Sequence, residues 1–227
     1  KKGTVTVRHY VEGTTTKLAN DVTIVQDYTT AYTTSPANVN PDYELVSTPS
    51  NASGTVYGNI VVTYYYRLKK GTLTVHHYKE GTTTKLADDV IKKQNYTTQY
   101  TTSPATVDPN YELVSTPSNA SGTFRGNIVV TYYYRLKKGT ITVHHYIEGT
   151  TTKLSNDIVT TQDYTTPYTT SPAIVDSNYE LVGTPNNATG TISGNTTVIY
   201  YYRLKTATIT VHHYIEGTTT KLAEDVV

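Results

Sequence analysis

The chain is 227 residues long, with 19 basic and 18 acidic side chains, a formal net charge of +1, and neither cysteine nor methionine. Balanced, mixed charge supplies no basic stripe for nucleic acid and no polybasic patch for a membrane surface, and a chain without cysteine has no disulfide staples and no cysteine-ligated metal. No apolar run approaches the ~20 residues needed to cross a bilayer, so no membrane contact is expected in this segment.

Gly3, Gly71, Gly139 and Ala207 are spaced at a constant interval, and the register between them holds without a gap. An internal repeat of this kind sets the architecture before any local reading. Full repeats are expected over 3–70, 71–138 and 139–206, with the truncated start of a fourth at 207–227. The missing initiator methionine and the short last repeat point to a piece of a longer protein, with targeting and anchoring segments outside it. Threonine and the 23 tyrosines dominate the composition. Both suit a pleated, half-buried surface, and good helix formers are scarce, so the fold class is mainly β.

Within the first repeat, Thr4 to Tyr10 alternates: Val5, Val7 and His9 share the core face, and Thr4, Thr6, Arg8 and Tyr10 the other. Glu12-Gly13-Thr14 reads as a turn, after which a second strand runs from Lys17 to about Gln26. The second repeat carries Ile91-Lys92-Lys93 there, a pattern that belongs on a sheet edge, where charge discourages further pairing. Tyr28 and Tyr32 fall on one side of the next segment. Pro167, between Tyr164 and Tyr168, favours an extended edge or a helical first turn over a helix interior. Pro36 and Pro41 bracket a loop, Tyr43 to Val46 forms a short strand, and Pro49 with Ser53-Gly54 marks a turn. The closing strand is the strongest signal: Ile60, Val62, Tyr64 and Tyr66 alternate with Val61, Thr63 and Tyr65.

Four pieces of each full repeat carry a family resemblance. They are an ITVxY-like strand at Thr4 to Tyr10, a YTT…YxLV stretch at Tyr32 to Val46, TPxNAxGT at Thr48 to Thr55, and VTYxYxxK at Val62 to Lys69. Together they resemble the mucin-binding-protein repeat, MucBP, of Gram-positive surface proteins. The resemblance implies a β-grasp, ubiquitin-like module on secreted, cell-wall-linked proteins, with host mucin or other glycans as partners. In a β-grasp the first and last strands are adjacent and parallel, so the chain enters and leaves a module at opposite ends. Tandem copies would then run end to end as an elongated rod, with strands of ~10 residues giving roughly 35–40 Å per module. An antiparallel meander would instead return the chain to its starting end and stack compactly.

Two functions fit this array. In the first, the repeats are a stalk projecting a binding region from the cell wall. The phrase VTYYYRLKKGTITVHHY at 130–146 then reads as a joint, with Tyr132 and Tyr134 buried and the stretch from Arg135 to Gly139 a short, semi-rigid connector. In the second, the repeats themselves bind glycans multivalently. Tyr65, Tyr133 and Tyr201, facing away from their neighbours, would be platforms for sugar rings, and Tyr28, Tyr32, Tyr96, Tyr100, Tyr164 and Tyr168 invite the same two readings. Repeats one and two agree at 54 of 68 aligned positions, which suits both a spacer and an avidity device. The exchanges Val56 to Phe124 and Tyr57 to Arg125 fall in a turn that could line a site.

The pairs His76-His77, His144-His145 and His212-His213 point to opposite faces of a strand and cannot readily chelate one ion, and Arg8 replaces the first of them in repeat one. A structural or surface role is expected, with no cofactor or metal. Glu44, Asp42 and Asp21 show no acid–base spacing, so the protein is not expected to be an enzyme. Lys17 with a nearby Asn or Asp has the chemistry of an isopeptide crosslink, the ordinary alternative being a solvated lysine. Neighbouring repeats are partners by construction, and the Thr208–Tyr214 run, which lacks the closing strand it would pair with, offers a route to fibre self-assembly by strand donation.

Overall fold

A computed structural model describes all of residues 1–227. The chain is strands and connecting loops without a helix. One compact unit, residues 1–108 with 113–135, holds the first repeat and most of the second; another, 109–112 with 136–227, holds the rest of the second, the third and the start of the fourth.

In repeat one, β1 (Lys2–Val11) lies between β2 (Lys17–Asp27) and β6 (Ile60–Leu68), and β4 (Tyr43–Leu45) closes the far side of β6. β1 and β2 form an antiparallel hairpin, whereas β1 and β6 pair in parallel, Val5 opposite Ile60 through Val11 opposite Tyr66. β3 (Ala31–Thr33) and β5 (Ser53–Thr55) make a separate small ribbon. In repeat two, β7 (Lys70–Lys79) pairs antiparallel with β8 (Lys85–Asn95) and in parallel with β12 (Ile128–Leu136), with a ribbon of β9 (Gln99–Thr101) and β11 (Ser121–Thr123); β10 is Tyr111–Leu113. Repeat three has the order β14-β13-β18-β16, from Lys153–Asp163, Lys138–Ile147, Thr196–Leu204 and Tyr179–Leu181, and a ribbon of β15 (Pro167–Thr169) with β17 (Thr189–Thr191). The start of repeat four is a lone hairpin, β19 (Val211–Tyr214) with β20 (Lys221–Val226), largely exposed on both faces.

The alternation expected of β1 and β6 decides the core. Val5, Val7, Val62, Tyr64 and Tyr66 are buried together with Tyr32, Ala52 and Val56, and Tyr28, Val39, Tyr43 and Leu45 pack against them. Repeat three builds its core from the corresponding residues, Ile141 to Tyr202. A tyrosine in a core must satisfy its hydroxyl. Tyr64 does so 3.0 Å from Thr34 Oγ1, and Tyr66 accepts the Ala37 N–H at 2.9 Å; Tyr132 and Tyr134, and Tyr200 and Tyr202, repeat both contacts. The loop that follows each ribbon strand is thus tied to the sheet by the phenols beneath it.

Three local expectations change. Ser53-Gly54 is not a turn but the start of β5: Gly54 sits opposite Tyr32, and a Cβ there would lie 3.1 Å from the Tyr32 ring. Tyr28 to Tyr32 resolves as a turn followed by a strand, with Thr29 in the left-handed region at φ 66°, and Pro167 opens the ribbon strand β15, the extended edge expected there. The connector between repeats is also shorter than the stretch expected. Only Lys69 separates β6 from β7, and only Lys137 separates β12 from β13. Between repeats one and two that single residue is fixed on both sides, its N–H donating to Asp42 O and its carbonyl accepting from Tyr96 N, at 2.9 and 2.8 Å. Arg125 of repeat two reaches the buried Asp42 of repeat one at 3.4 Å. Val56 and Phe124 are both core residues, so their exchange repacks an interior and lines no site.

The glycine that opens each full repeat has a steric cause. A Cβ on Gly3, Gly71 or Gly139 would collide with the carbonyl oxygen of Gly58, Gly126 or Gly194. Backbone cannot yield as a side-chain tip can, so Gly71→Ala is expected to destabilise repeat two by ~1–3 kcal/mol in chemical denaturation. Gly183→Ala, where an added Cβ meets nothing within 4 Å, should change stability by less than about 0.5 kcal/mol.

Candidate functional site

The side of each sheet turned away from the core carries the most organised surface of the repeat. The parallel register places Tyr10 opposite Tyr65, Tyr78 opposite Tyr133 and Tyr146 opposite Tyr201. Tyr65, Tyr133 and Tyr201 are 44, 42 and 38 % exposed, each between two fully packed tyrosines of the same strand. Their position follows from period-two alternation alone.

The turn after β1 lies against the exposed ring. Glu12, Gly13, Thr14 and Thr15 form with Tyr65 an open groove of about 710 Å³, and Glu80 to Thr83 form with Tyr133 one of about 690 Å³. The turn is held at several points. The Thr14 N–H and hydroxyl both donate to Val11 O at 3.1 Å, Thr16 N–H donates to Thr14 Oγ1, and Glu12 N–H donates to Tyr66 O at 2.8 Å. Gly13, at φ 71°, takes the third position of the turn, where a left-handed conformation favours glycine. Repeat three fixes Glu148 to Tyr202 O with the same 2.8 Å bond and Gly149 with the same φ. The sequence EGTTTKL, starting at Glu12, Glu80, Glu148 and Glu216, is unchanged in all four copies.

Next to the tyrosines runs a charged cluster created by a β-bulge. Between Val7 and His9 the register of β1 slips against β2, so that Arg8 meets two residues of the partner strand. A bulge re-aims a side chain, and here it brings Asp21 to the outer face. Lys17 Nζ lies 2.9 Å and Arg8 Nε 3.5 Å from that carboxylate. In repeat two His76 Nδ1 is 2.9 Å and Lys85 Nζ 2.8 Å from Asp89, and repeat three does the same with His144, Lys153 and Asp157. Lys85 first and His76 second hold the Asp89 carboxyl below its usual 3.8. Arg8 and the histidines therefore occupy one place, each setting a side-chain nitrogen against an aspartate, which is why they interchange. The His76 and His144 rings also stack on Tyr78 and Tyr146 at 5.0 and 5.2 Å. Lys17 is half-exposed in its ion pair. That is a solvated lysine, without the burial an isopeptide bond would need.

The second histidine of each pair is internal. His9, His77 and His145 are 3, 2 and 0 % exposed and stack on Tyr64, Tyr132 and Tyr200 at 5.4–5.5 Å. Their Nδ1 atoms lie 3.1 Å from the hydroxyls of Tyr66, Tyr134 and Tyr202. The Nε2 atom of His145 is buried without a partner, so a proton there would have no acceptor. Burial holds all three imidazoles below the ordinary 6.5, against the opposing pull of Asp21, Asp89 and Asp157.

The tyrosines of the ribbon segment are more covered. Tyr32 is 8 % exposed with its hydroxyl on Asn51 O, while Tyr100 and Tyr168 bond Asn119 O and Asn187 O in the same way. Tyr28, Tyr96 and Tyr164 are half-buried, and Tyr28 lies under the Lys1 ammonium. Tyr32 has no free ring face, whereas Tyr65, Tyr133 and Tyr201 are the most exposed of the candidate rings. Sequence reasoning missed their companions Tyr10, Tyr78 and Tyr146 and the glutamates of the turn. The one available signal was the unchanged EGTTTKL run.

Comparison with known proteins gives one family and several relatives. The MucBP domain matches residues 4–67, 72–135 and 140–203. Internalin J of Listeria monocytogenes serovar 1/2a is 31 % identical over 211 residues, covering 88 % of this chain and 24 % of that protein. The chain thus spans about a quarter of that relative's length. Among solved structures, the Bacillus anthracis TIE protein overlays 90 % of this chain and 51 % of its own, at 10 % identity and a TM-score of 0.48. The type 2 repeat of the mucus binding protein MUB from Lactobacillus reuteri overlays 60 % of this chain and 100 % of its own, at 16 % identity and a TM-score of 0.23.

The buried histidines set an acid limit on stability. Because the fold lowers their pKa, the neutral form is the folded form: stability is complete above the ordinary 6.5 and falls as pH drops through it. Chemical denaturation should show a progressive loss between pH 7.5 and 5.5. The triple replacement of His9, His77 and His145 by Phe should flatten that part of the profile.

Proposed function

The chain belongs to the MucBP domain family, and from that premise we propose that it is the repeat region of an exported Gram-positive surface adhesin, carried on the cell wall as a stalk. The modules are tandem β-grasp units coinciding with residues 3–70, 71–138 and 139–206, followed by the start of a fourth. Its role is mechanical and adhesive, not catalytic. The observation that carries this reading is the parallel pairing of β1 with β6 and its copies. Two adjacent parallel strands, first and last in a module, put the incoming and outgoing chain at opposite ends. Joining modules through the single residue Lys69 then leaves little length for folding back.

Solution scattering of the intact chain tests the stalk. A rod of three modules at roughly 35–40 Å each would have a radius of gyration of about 30 Å, against about 17 Å for a compact globule of this length. A value near the latter would end the stalk reading. Inserting ten Gly/Ser residues at Lys69 should broaden the scattering, with a small loss of stability from the Asp42 and Tyr96 hydrogen bonds that Lys69 makes.

A second reading is favoured by the groove at Tyr65 and Tyr133: the repeats bind mucin-type glycans, one weak site per module. An exposed ring beside fixed hydroxyl and carboxylate groups suits a sugar, whose apolar face stacks while its hydroxyls are bonded. Replacing Tyr65, Tyr133 and Tyr201 together by Ala should lower binding of the chain to a mucin-coated surface by at least tenfold if sites act together, measured by surface plasmon resonance. Unchanged binding would return the repeats to a purely structural role.

A further inference from the structure

Resting on the glycan-binding reading, we infer that the tyrosine groove selects uncharged glycans and discriminates against sialylated or sulfated ones. The basis is the charge that surrounds the ring. In repeat one the groove is lined by Glu12, Gly13, Thr14, Thr15 and Tyr65, and in repeat two by the corresponding Glu80, Gly81, Thr82, Thr83 and Tyr133. The only charged side chain of either lining is a glutamate. Its backbone is pinned to the closing strand by the 2.8 Å bond to Tyr66 O or Tyr134 O, so the carboxylate is attached to a fixed point beside the ring.

Several basic side chains near the groove are engaged with carboxylates, while Lys70 and Arg67 share a neighbouring cleft with Glu12. Arg8 and Lys17 share Asp21, and Arg67 donates to Glu44 at 2.8 Å. Lys85 and His76 share Asp89 in repeat two, while in repeat three Lys153 and His144 share Asp157 and Arg203 donates to Glu180 at 2.8 Å. The strongest recognition of a sugar carboxylate or sulfate uses a charge-assisted donor, ideally a bidentate arginine free to turn to it. In this groove an anionic sugar would meet a carboxylate, and drawing a cation from its aspartate or glutamate would leave that group uncompensated. A neutral sugar meets complementary chemistry. A carboxylate is acceptor-only and takes hydroxyl donors of a diol, while threonine hydroxyls both donate and accept.

The size of the effect follows from distance. A second negative charge about 6 Å from the glutamate, in surroundings between water and protein surface, weakens binding roughly three- to tenfold, and salt screens it. Lys79 directly precedes Glu80, where repeats one and three have Val11 and Ile147, so repeat two should be the least discriminating of the three.

A glycan array carrying neutral oligosaccharides beside their sialylated and sulfated counterparts, probed with the intact chain, tests this. Neutral members should be retained three- to tenfold more strongly at low salt, and the margin should shrink at high salt. Converting Glu12, Glu80 and Glu148 together to Gln, exposed turn positions that leave the core alone, should erase most of the margin. Equal or tighter binding of the anionic members overturns the selectivity while leaving glycan binding intact. Neutral binding that survives the triple tyrosine variant overturns the location of the site. Failure to bind any member removes the glycan reading itself, and this inference with it.

Discussion

The pairing of a repeat's first strand with its last, in parallel and through the middle of the sheet, is the interaction on which the rest depends. Parallel partners cannot be joined by a tight turn and need a long crossover. Here the crossover runs from Glu12 to Asn59, and it supplies the edge strand, the ribbon, the loops and the short fourth strand. Both central strands are therefore flanked on each side. Their inner faces bury valines, tyrosines and a histidine, and their outer faces carry the aromatic pairs and the charged cluster. Entry and exit strands are thus neighbours running the same way.

A core built on tyrosine and histidine differs from an aliphatic one in what it demands. Each buried phenol has to find a partner, and the partners are the Thr34 hydroxyl and the Ala37 backbone in the loop over the sheet. The loop is short of large apolar residues, so these hydrogen bonds hold it down where side-chain burial could not do so alone. Such bonds contribute modestly when made and cost more when broken in the interior. The stacked imidazole extends the same network, which makes the interior sensitive to acid. The arrangement is identical in three repeats, down to the 3.1 Å separation of imidazole and phenol.

The outer face divides what varies from what does not. Arg8 is exchanged for histidine without altering the ion pair it serves, and the edge strand changes from Ile24-Val25 to Lys92-Lys93. The turn from Glu12 to Leu18 and the tyrosine beside it stay fixed in every full repeat. Part of that constancy is structural, since Gly13 is left-handed and the Thr14 hydroxyl holds the turn, and the same residues set a carboxylate beside an exposed ring.

Much of this was legible in the chain itself. The constant interval from Gly3 to Gly139, the alternation of Val5, Val7 and His9, and the run Val62-Thr63-Tyr64-Tyr65-Tyr66 fix strand, face and repeat, because backbone geometry sends successive side chains to opposite sides. Opposite faces for the two histidines of each pair followed from the same rule, and the edge position of β2 followed from the lysines of its second copy. Tertiary structure alone decided the rest. β5 has no apolar residue to announce it and exists because Tyr32 needs a glycine opposite. Whether Tyr28 and Tyr32 would face a ligand or the core depended on residues some twenty positions away, and the core took Tyr32. The meeting of Tyr10 with Tyr65, of Asp21 with Arg8 across a bulge, and of Gly3 with the Gly58 carbonyl all join segments distant in sequence. Period and propensity report only what a residue does within its own strand; which strand comes to lie beside it is settled by packing the whole repeat.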